Sequence, residues 1–250
     1  MFEKSDFIIV MATMPSRDKK LLEALENSDG TIIYLNAIED KEMLDISSIS
    51  SRYECGSEEG VLAILAKEIL NDKDIPLHVK KFFEDLDEGY ISAECNVGEE
   101  EIEEINNLCK LSKTPYLYIG SDISNHPRNS NIKKIISLFK EFGGFDTNIS
   151  CSKTEDLEDV EELESFDGSI VYFCESIDNS ETKQLIGSAQ FAIGAKIHDK
   201  ENIKIITDNN SYNRIFRLDI DLKGTIALLP GEKCDSYSYK TAKIMKEDMQ

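Results

Sequence analysis

Short apolar runs and helical patterns alternate along the first half of the chain. Residues 6–12 and 31–35 are continuous apolar or β-branched runs of strand length, and residues 115–119 form a third. Continuous apolar runs of this length are typical of strands buried on both faces of a parallel sheet. The pattern therefore predicts three central strands of one α/β layer.

Amphipathic helices are predicted between and after these strands. One opens at Pro15-Ser16-Arg17-Asp18 with Leu21, Leu22 and Leu25 on one side, and residues 57–70, 98–112 and 129–142 carry similar apolar faces. Ser57 is predicted to cap the second helix, and Glu58 and Glu59 then complement its dipole. Strands alternating with helices indicate a doubly wound, Rossmann-like parallel sheet.

The second half has a different pattern. Residues 155–167 are dominated by acids and are predicted to form a linker or an edge element. Residues 168–174 are predicted as a strand and residues 179–186 as a short helix. Four short runs then follow at 191–196, 203–207, 215–218 and 225–229. Their spacing predicts strands of a small β-barrel or sandwich. We therefore expect a Rossmann-like domain over residues 1–187 and a β-rich, barrel-like domain over residues 188–250.

The excess of acidic residues limits the classes of molecule that this chain is expected to bind. The chain has 49 acidic and 28 basic residues, a net charge of −21. Such a surface repels phosphate backbones and anionic membranes, so no nucleic-acid partner and no direct membrane insertion are expected. The charge either serves solubility alone or favours a basic protein surface. The first residues carry two acids and the apolar run is too short to span a bilayer, which predicts a cytoplasmic protein.

Cysteine and histidine are scattered. The six cysteines (55, 95, 109, 151, 174 and 234) include no C-x-x-C pair, and His78, His126 and His198 lie far apart. Local spacing of that kind is the signature of zinc and iron–sulfur sites. The expectation is free thiols, with no metal site, no cofactor and no catalytic residue encoded by a motif.

Three stretches carry candidate site chemistry. Gly120-Ser121-Asp122 follows a predicted strand, where doubly wound sheets bind ligands, but lacks the glycine pattern of a phosphate cradle, so a strand-exit turn is favoured. The stretch 55–60 has the residue types of an anion site at a helix start, but its two glutamates would repel a phosphate. A plain helix cap is therefore favoured. Asp85, Asp87 and the glutamates at 99–101 are expected on the solvated surface. In His126-Pro127-Arg128, cations stand at a helix start, which indicates either a contact with an anion or a local structural role.

Several strings together resemble a known family. They are "SDFIIVMATMPSRD", "YECGSEEGVLAILA", "GYISAECNVGEEEIEEI", "YLYIGSDISNHPRNSNIKKIISLFKEFGGF", "GSAQFAIGAKI" and "LKGTIALLP…YSYKTAKI". In this order they resemble the C-terminal region of the molybdopterin-oxidoreductase-like subunit of NADH-quinone oxidoreductase (respiratory complex I). The resemblance covers most of residues 5–150 and 185–245.

The resemblance implies a Rossmann-like region followed by a β-barrel domain. In that family an iron–sulfur part precedes the region matched here, and the molybdopterin-like region generally carries no molybdenum cofactor, so no cofactor residue is carried over. The implied function is a non-catalytic scaffold subunit in the peripheral arm of a complex I-like assembly, held at the inner face of the membrane by partner subunits. Two alternatives stay open: a small stand-alone α/β enzyme that binds a nucleotide or pterin at the exit of strand 115–119, and an acidic interaction protein unrelated to respiration.

Overall fold

A computed structural model describes residues 2, 4–161, 166, 168–208, 210–232, 234 and 236–246. These residues form a parallel sheet flanked by helices and a closed β-barrel that follows it. The α/β class and the barrel, both predicted from the sequence, are confirmed. No helix in the described ranges is long and apolar enough to cross a bilayer.

The sheet has five strands in the order β3-β2-β1-β4-β5. The strands are β1 (Phe7–Met11), β2 (Thr31–Asn36), β3 (Ile49–Arg52), β4 (Pro115–Ile119) and β5 (Asp146–Thr147). Every neighbouring pair is parallel. The chain moves outward from β1 to β3 and then returns to the other side of β1 with β4. The carboxyl ends of β1 and β4 therefore flank the point where the strand order reverses.

Both faces of the sheet are covered by helices. The first set is α1 (Lys19–Glu26) and α2 (Lys41–Ile46), and the second is α3 (Glu58–Leu70), α4 (Leu77–Glu84), α5 (Glu88–Cys95), α6 (Glu99–Cys109) and α7 (Asn129–Glu141). Ile8 and Val10 pack with Leu21 and Met43 of the first set. The other side chains of β1 pack with the second set. Burial on both faces explains why β1 is apolar at every position.

The barrel is closed by six strands in the order β10-β6-β11-β8-β9-β7. They are β6 (Ser169–Cys174), β7 (Gln184–Gly187), β8 (Asn202–Ile206), β9 (Ser211–Leu218), β10 (Ile226–Pro230) and β11 (Tyr239–Lys246). Alternate side chains such as Val171, Phe173, Phe216 and Leu229 fill its interior. β6 and β7 precede residue 188, so the boundary expected between residues 187 and 188 falls inside the barrel.

Two element predictions in this region are wrong. Residues 191–196, predicted as a strand, belong to the helix α8 (Ala189–Ala195), and residues 179–186, predicted as a helix, form a 3₁₀ turn at Glu181–Lys183 followed by β7. The Ser188 hydroxyl accepts a hydrogen bond from the Phe191 amide at 3.0 Å and so caps α8. Phe191 is buried whereas Ile193 is 77% exposed, the periodicity of a helix packed on one side.

Ser188→Ala is predicted to destabilise the protein by about 1 kcal/mol, because a buried cap and a hydrogen bond to the Gly224 carbonyl are both lost. Urea denaturation measures the change. Ser130→Ala, an exposed position on α7, is the matched control and stays within about 0.5 kcal/mol of wild type. Equal stabilities for the two variants would contradict the capping role of Ser188.

Candidate functional site

The barrel lies on the carboxyl edge of the sheet. The loops after β1, β2, β3 and β4 each contact a barrel residue or the 3₁₀ turn before β7. These contacts are Arg17–Glu181, Glu39–Lys223 (3.0 Å), Lys41–Asp221 (2.8 Å), the Gly56 amide to the Tyr237 hydroxyl (2.9 Å) and the Tyr172 hydroxyl to Asp122 (3.0 Å). This is the edge at which doubly wound sheets bind their ligands, and here the chain covers it with its own barrel.

The space between the ends of β1 and β4 is closed by direct backbone contact. The Gly120 amide donates to the Met11 carbonyl at 2.8 Å. A Cβ atom at Gly120 would lie 2.0 Å from the Ala12 carbonyl oxygen and 2.4 Å from the Thr13 Cβ. Only glycine allows this approach, so the residue serves to close the crevice. The next residues, Ser121–Asn125, form a 3₁₀ turn at the strand exit.

Asp122 is buried at this turn, beneath the barrel. It is 4% exposed and accepts a hydrogen bond from the Tyr172 hydroxyl of β6 at 3.0 Å. The ring of Tyr172 stacks on that of Tyr239, with centroids 4.6 Å apart. Burial raises the pKa of Asp122 to about 7, and the hydrogen bonds from Ser238 and Tyr172 oppose this rise only in part. The carboxyl group therefore titrates near neutral pH.

Glu58, in the first turn of α3, is fully buried in a second carboxylate–tyrosine contact. Its Oε1 accepts a hydrogen bond from the Tyr237 hydroxyl at 2.6 Å, and the His126 Nε2 lies 3.3 Å from its Oε2. The His126 Nδ1 accepts from the Arg128 amide at 3.0 Å, which leaves the ring proton on Nε2, where it can be donated to the Gly56 carbonyl at 3.2 Å beside the Glu58 carboxylate. Burial lowers the pKa of His126, but its hydrogen bond and charge interaction with Glu58 outweigh burial and raise it.

Ser57 occupies the N-cap position of α3, as predicted, but does not cap the helix with its side chain. Its hydroxyl donates instead to the Glu54 carbonyl at 2.6 Å. Glu58 and Glu59 lie in the first turn of α3, where their charge suits the helix dipole. Both are buried rather than solvated, so each also needs a partner.

Glu59 finds its partner in Arg128, at the N-cap position of α7. The Arg128 Nε lies 3.0 Å from both carboxylate oxygens of Glu59, and the Asn131 amide donates to the same carboxylate at 2.7 Å. A cation at a helix N-terminus is unfavourable on its own, and this contact offsets the cost. His126 and Arg128 of the His126-Pro127-Arg128 trio therefore contact carboxylates of the same chain, which is a structural role within the fold.

Arg128 also holds the acidic segment that connects the sheet to the barrel. Its guanidinium contacts Glu158 at 3.0 Å, Glu161 at 2.7 Å and the Asp159 carbonyl at 2.8 Å. Lys134 adds an ion pair to Glu158 at 2.9 Å. Residues 155–161 contain no helix or strand, in keeping with the linker predicted over 155–167, and although most of them are exposed, Glu158 and Glu161 are held by Arg128 and Lys134. Residues 162–165 and 167 of that prediction lie outside the described residues.

A cavity of about 90 Å³ opens at the junction of these parts. It is bounded by α5, by the first turn of α3, by residues 126–128 before α7, by the acidic segment and by Tyr237 in the loop before β11. The remaining acids singled out in the sequence lie elsewhere: Asp85, Asp87, Glu99 and Glu100 are exposed, and Asp87 caps α5 through the Tyr90 amide.

The cysteines of this region are thiols. Burial raises the pKa of Cys95 to about 12 and raises that of Cys55 further still. All six cysteines are free. Within the described ranges, no group of three histidine, cysteine or acidic side chains is placed to hold a metal ion.

Sequence reasoning did not identify Glu58, Tyr172 or Tyr237 as functional or structural contacts. Tyr237 and Glu58 are separated by 179 positions, and Tyr172 and Asp122 by 50. The sequence did contain one indication of buried carboxylates: two acids directly precede the continuous apolar pattern of α3. Helix α3 is buried along most of its length, so its first acids were candidates for buried carboxylates.

A scan against models of known protein families finds no match for this chain, and a search of the curated proteins finds no significant relative.

Arg128→Met is predicted to destabilise the protein by about 3 kcal/mol, because it keeps the apolar stem but leaves the buried Glu59 carboxylate without its cation. Adding Glu59→Gln should restore part of the loss. Urea denaturation at pH 7.5 measures both variants. Glu161→Gln, whose side chain is 66% exposed, is the control and costs less than about 1 kcal/mol. An Arg128→Met protein as stable as wild type would refute the pairing.

Asp122→Asn is predicted to change how stability depends on pH. Because the pKa of Asp122 rises from 3.8 to about 7 on folding, the folded state binds the extra proton between these values. The contribution of Asp122 to stability is thus largest at low pH and falls as the pH rises to 7. At about 1.4 kcal/mol per pKa unit, wild type loses roughly 3 kcal/mol between pH 5 and pH 8 through this group, and the variant does not.

The measurement is the difference in unfolding free energy between wild type and Asp122→Asn at pH 5 and at pH 8. His126 titrates in both proteins, so its contribution cancels in the difference. Asp85→Asn, at an exposed position, serves as the control and should follow wild type at both pH values. Parallel pH profiles for wild type and Asp122→Asn would rule out the titration.

Proposed function

We propose that this chain is a non-catalytic accessory subunit of a complex I-like NADH-quinone oxidoreductase, similar in role to the C-terminal region of that enzyme's molybdopterin-oxidoreductase-like subunit. It would support electron transfer by cluster-bearing partners in the peripheral arm, and those partners would hold it at the inner face of the cell membrane. The observation that carries this proposal is the seating of the barrel over the carboxyl edge of the sheet.

That edge is where a doubly wound enzyme would hold its nucleotide or cofactor. In this chain the backbones after β1 and β4 touch at Gly120, and the buried Asp122 is bonded to Tyr172. The edge is used for packing between the two parts of the chain, which favours action through the outer surface.

Several of the strings that carry the resemblance to complex I contribute to this same junction. "SDFIIVMATMPSRD" covers β1 and its exit, "YECGSEEGVLAILA" leads into α3, and the string that begins "YLYIGSD" covers β4, its exit and α7. "YSYKTAKI" contains Tyr237, Tyr239 and most of β11. The resemblance therefore includes the parts that seat the barrel, and this supports an architecture shared with the molybdopterin-oxidoreductase-like subunit.

The surface charge indicates the chemistry of the partners. A net charge of −21 favours association with basic protein surfaces and makes that association sensitive to salt. The screening length falls from about 10 Å at 0.1 M salt to about 3 Å at 1 M, so contacts that depend on surface charge weaken over this range.

The proposal predicts that a tagged chromosomal copy, purified in mild detergent at low salt, brings down iron–sulfur and quinone-site subunits of a complex I-type enzyme. Mass spectrometry of the eluate identifies them. We expect their recovery to fall as salt is raised to 1 M, and quinone reduction by membranes to fall in a deletion strain and return with the wild-type gene.

Ser130→Ala is the control for complementation, because it changes one exposed hydroxyl on α7 and leaves the junction of sheet and barrel intact. It should restore quinone reduction as wild type does. The proposal would be refuted if the tagged protein elutes without partners at low salt and deletion of its gene leaves quinone reduction unchanged. A nucleotide or pterin that raises the melting temperature of the purified protein would instead favour the stand-alone enzyme.

A further inference from the structure

The cavity at the junction of sheet, barrel and acidic segment has a volume of about 90 Å³, several times the space that a single water molecule needs. Its walls are largely apolar and come from separate elements. Ile91 belongs to α5, Val160 and Phe166 to the connection between sheet and barrel, and Tyr237 to the loop before β11. An alkyl chain of a few carbon atoms can be buried between such walls.

One wall depends on a glycine. Gly56 has a φ of +88°, and a Cβ atom there would lie 3.0 Å from the Phe166 ring. Its amide donates to the Tyr237 hydroxyl at 2.9 Å. Gly56 thus allows the Phe166 ring to approach the α3 start, where it meets the Tyr237 ring with centroids 6.3 Å apart. Aromatic faces are favourable neighbours for a cation as well as for an alkyl chain.

The charged groups that line the cavity are predominantly acidic. Three carboxylates, Glu59, Glu94 and Glu161, line it together with one guanidinium, that of Arg128, and with His126, whose charge is balanced by the buried Glu58. Arg128 is already paired with Glu59, Glu161 and Glu158. Glu94 is exposed on α5 and has no hydrogen bond or ion pair within the described part of the chain. The uncompensated charge at the cavity is therefore negative, and a cation is the complementary ligand.

From this combination we propose that the cavity binds an alkylammonium group, the chemistry shared by a lysine side chain of a protein partner and a free alkylamine. The alkyl chain lies between Ile91, Val160 and Tyr237, and the ammonium group is paired with Glu94 at the mouth. The site goes beyond the accessory function proposed above, since it is present in the isolated chain and can be tested without any partner.

The test is an NMR titration of the ¹⁵N-labelled full chain. The probes are Nα-acetyl-lysine N-methylamide, butylamine and, as a neutral analogue of the lysine derivative, Nα-acetyl-norleucine N-methylamide. We expect saturable shifts of the Gly56 and Gly60 amides with both ammonium probes. The norleucine derivative should bind about two- to fivefold more weakly, the range expected for loss of one partly exposed ion pair. Tighter binding of the lysine derivative than of butylamine identifies a protein side chain as the source, and the reverse order identifies a free amine.

Glu94→Gln should weaken binding of the lysine derivative about fivefold, since it removes the unpaired charge and keeps the size of the side chain. Glu104→Gln, an exposed position on α6 that does not line the cavity, is the matched control and should bind as wild type. Both variants change exposed residues, and their amide spectra report that the fold is retained. Equal affinity for the norleucine derivative, unchanged affinity in Glu94→Gln, or absence of shifts at Gly56 and Gly60 would each overturn the proposal.

Discussion

The seating of the barrel on the sheet depends on two buried carboxylates that accept hydrogen bonds from tyrosines of the barrel side. Asp122 meets Tyr172 of β6 and Glu58 meets Tyr237, while a third buried carboxylate, Glu59, meets Arg128 within the α/β part. A buried carboxylate that loses its partners costs several kcal/mol, so an arrangement that separated these groups would be strongly disfavoured. Apolar packing brings the barrel and the sheet together, and the carboxylate pairs select the orientation in which they meet.

The same constraint explains the charges at the starts of α3 and α7. Two glutamates begin α3, which its dipole favours, and Arg128 precedes α7, which that dipole disfavours. The two helix starts lie side by side, so Arg128 neutralises the buried charge of Glu59. The carboxylates around Arg128 in turn offset the cost of placing a cation at a helix N-terminus. The acidic segment then becomes part of this network through Glu158 and Glu161, although its composition alone is typical of a solvated linker.

The central strands β1, β2 and β4 could be predicted because burial on both faces of the sheet requires a continuous apolar run, which is visible in the local sequence. The edge strand β3 has the sequence Ile-Ser-Ser-Arg and leaves no such record, and α4 and α5 are short helices that were not predicted. The prediction for 191–196 is wrong because a short apolar stretch fits a strand or a one-sided helix equally well. The candidate site was out of reach for a different reason: its pairs join residues 50 to 179 positions apart, and a single sequence does not encode which distant tyrosine meets which acid.

Tyr237 links the two properties of the junction. Its hydroxyl donates a hydrogen bond to Glu58 and accepts one from the Gly56 amide, which connects the barrel to the start of α3. Its ring forms a wall of the cavity beside Phe166. A ligand in the cavity would contact α5, the acidic segment and Tyr237 together, and these surround it only while the barrel is seated. Any such ligand must therefore bind the seated arrangement more tightly than a separated one and must stabilise it by the corresponding free energy. The carboxylate pairs that cover the edge of the sheet thus also create the enclosed space in which this chain can recognise another molecule.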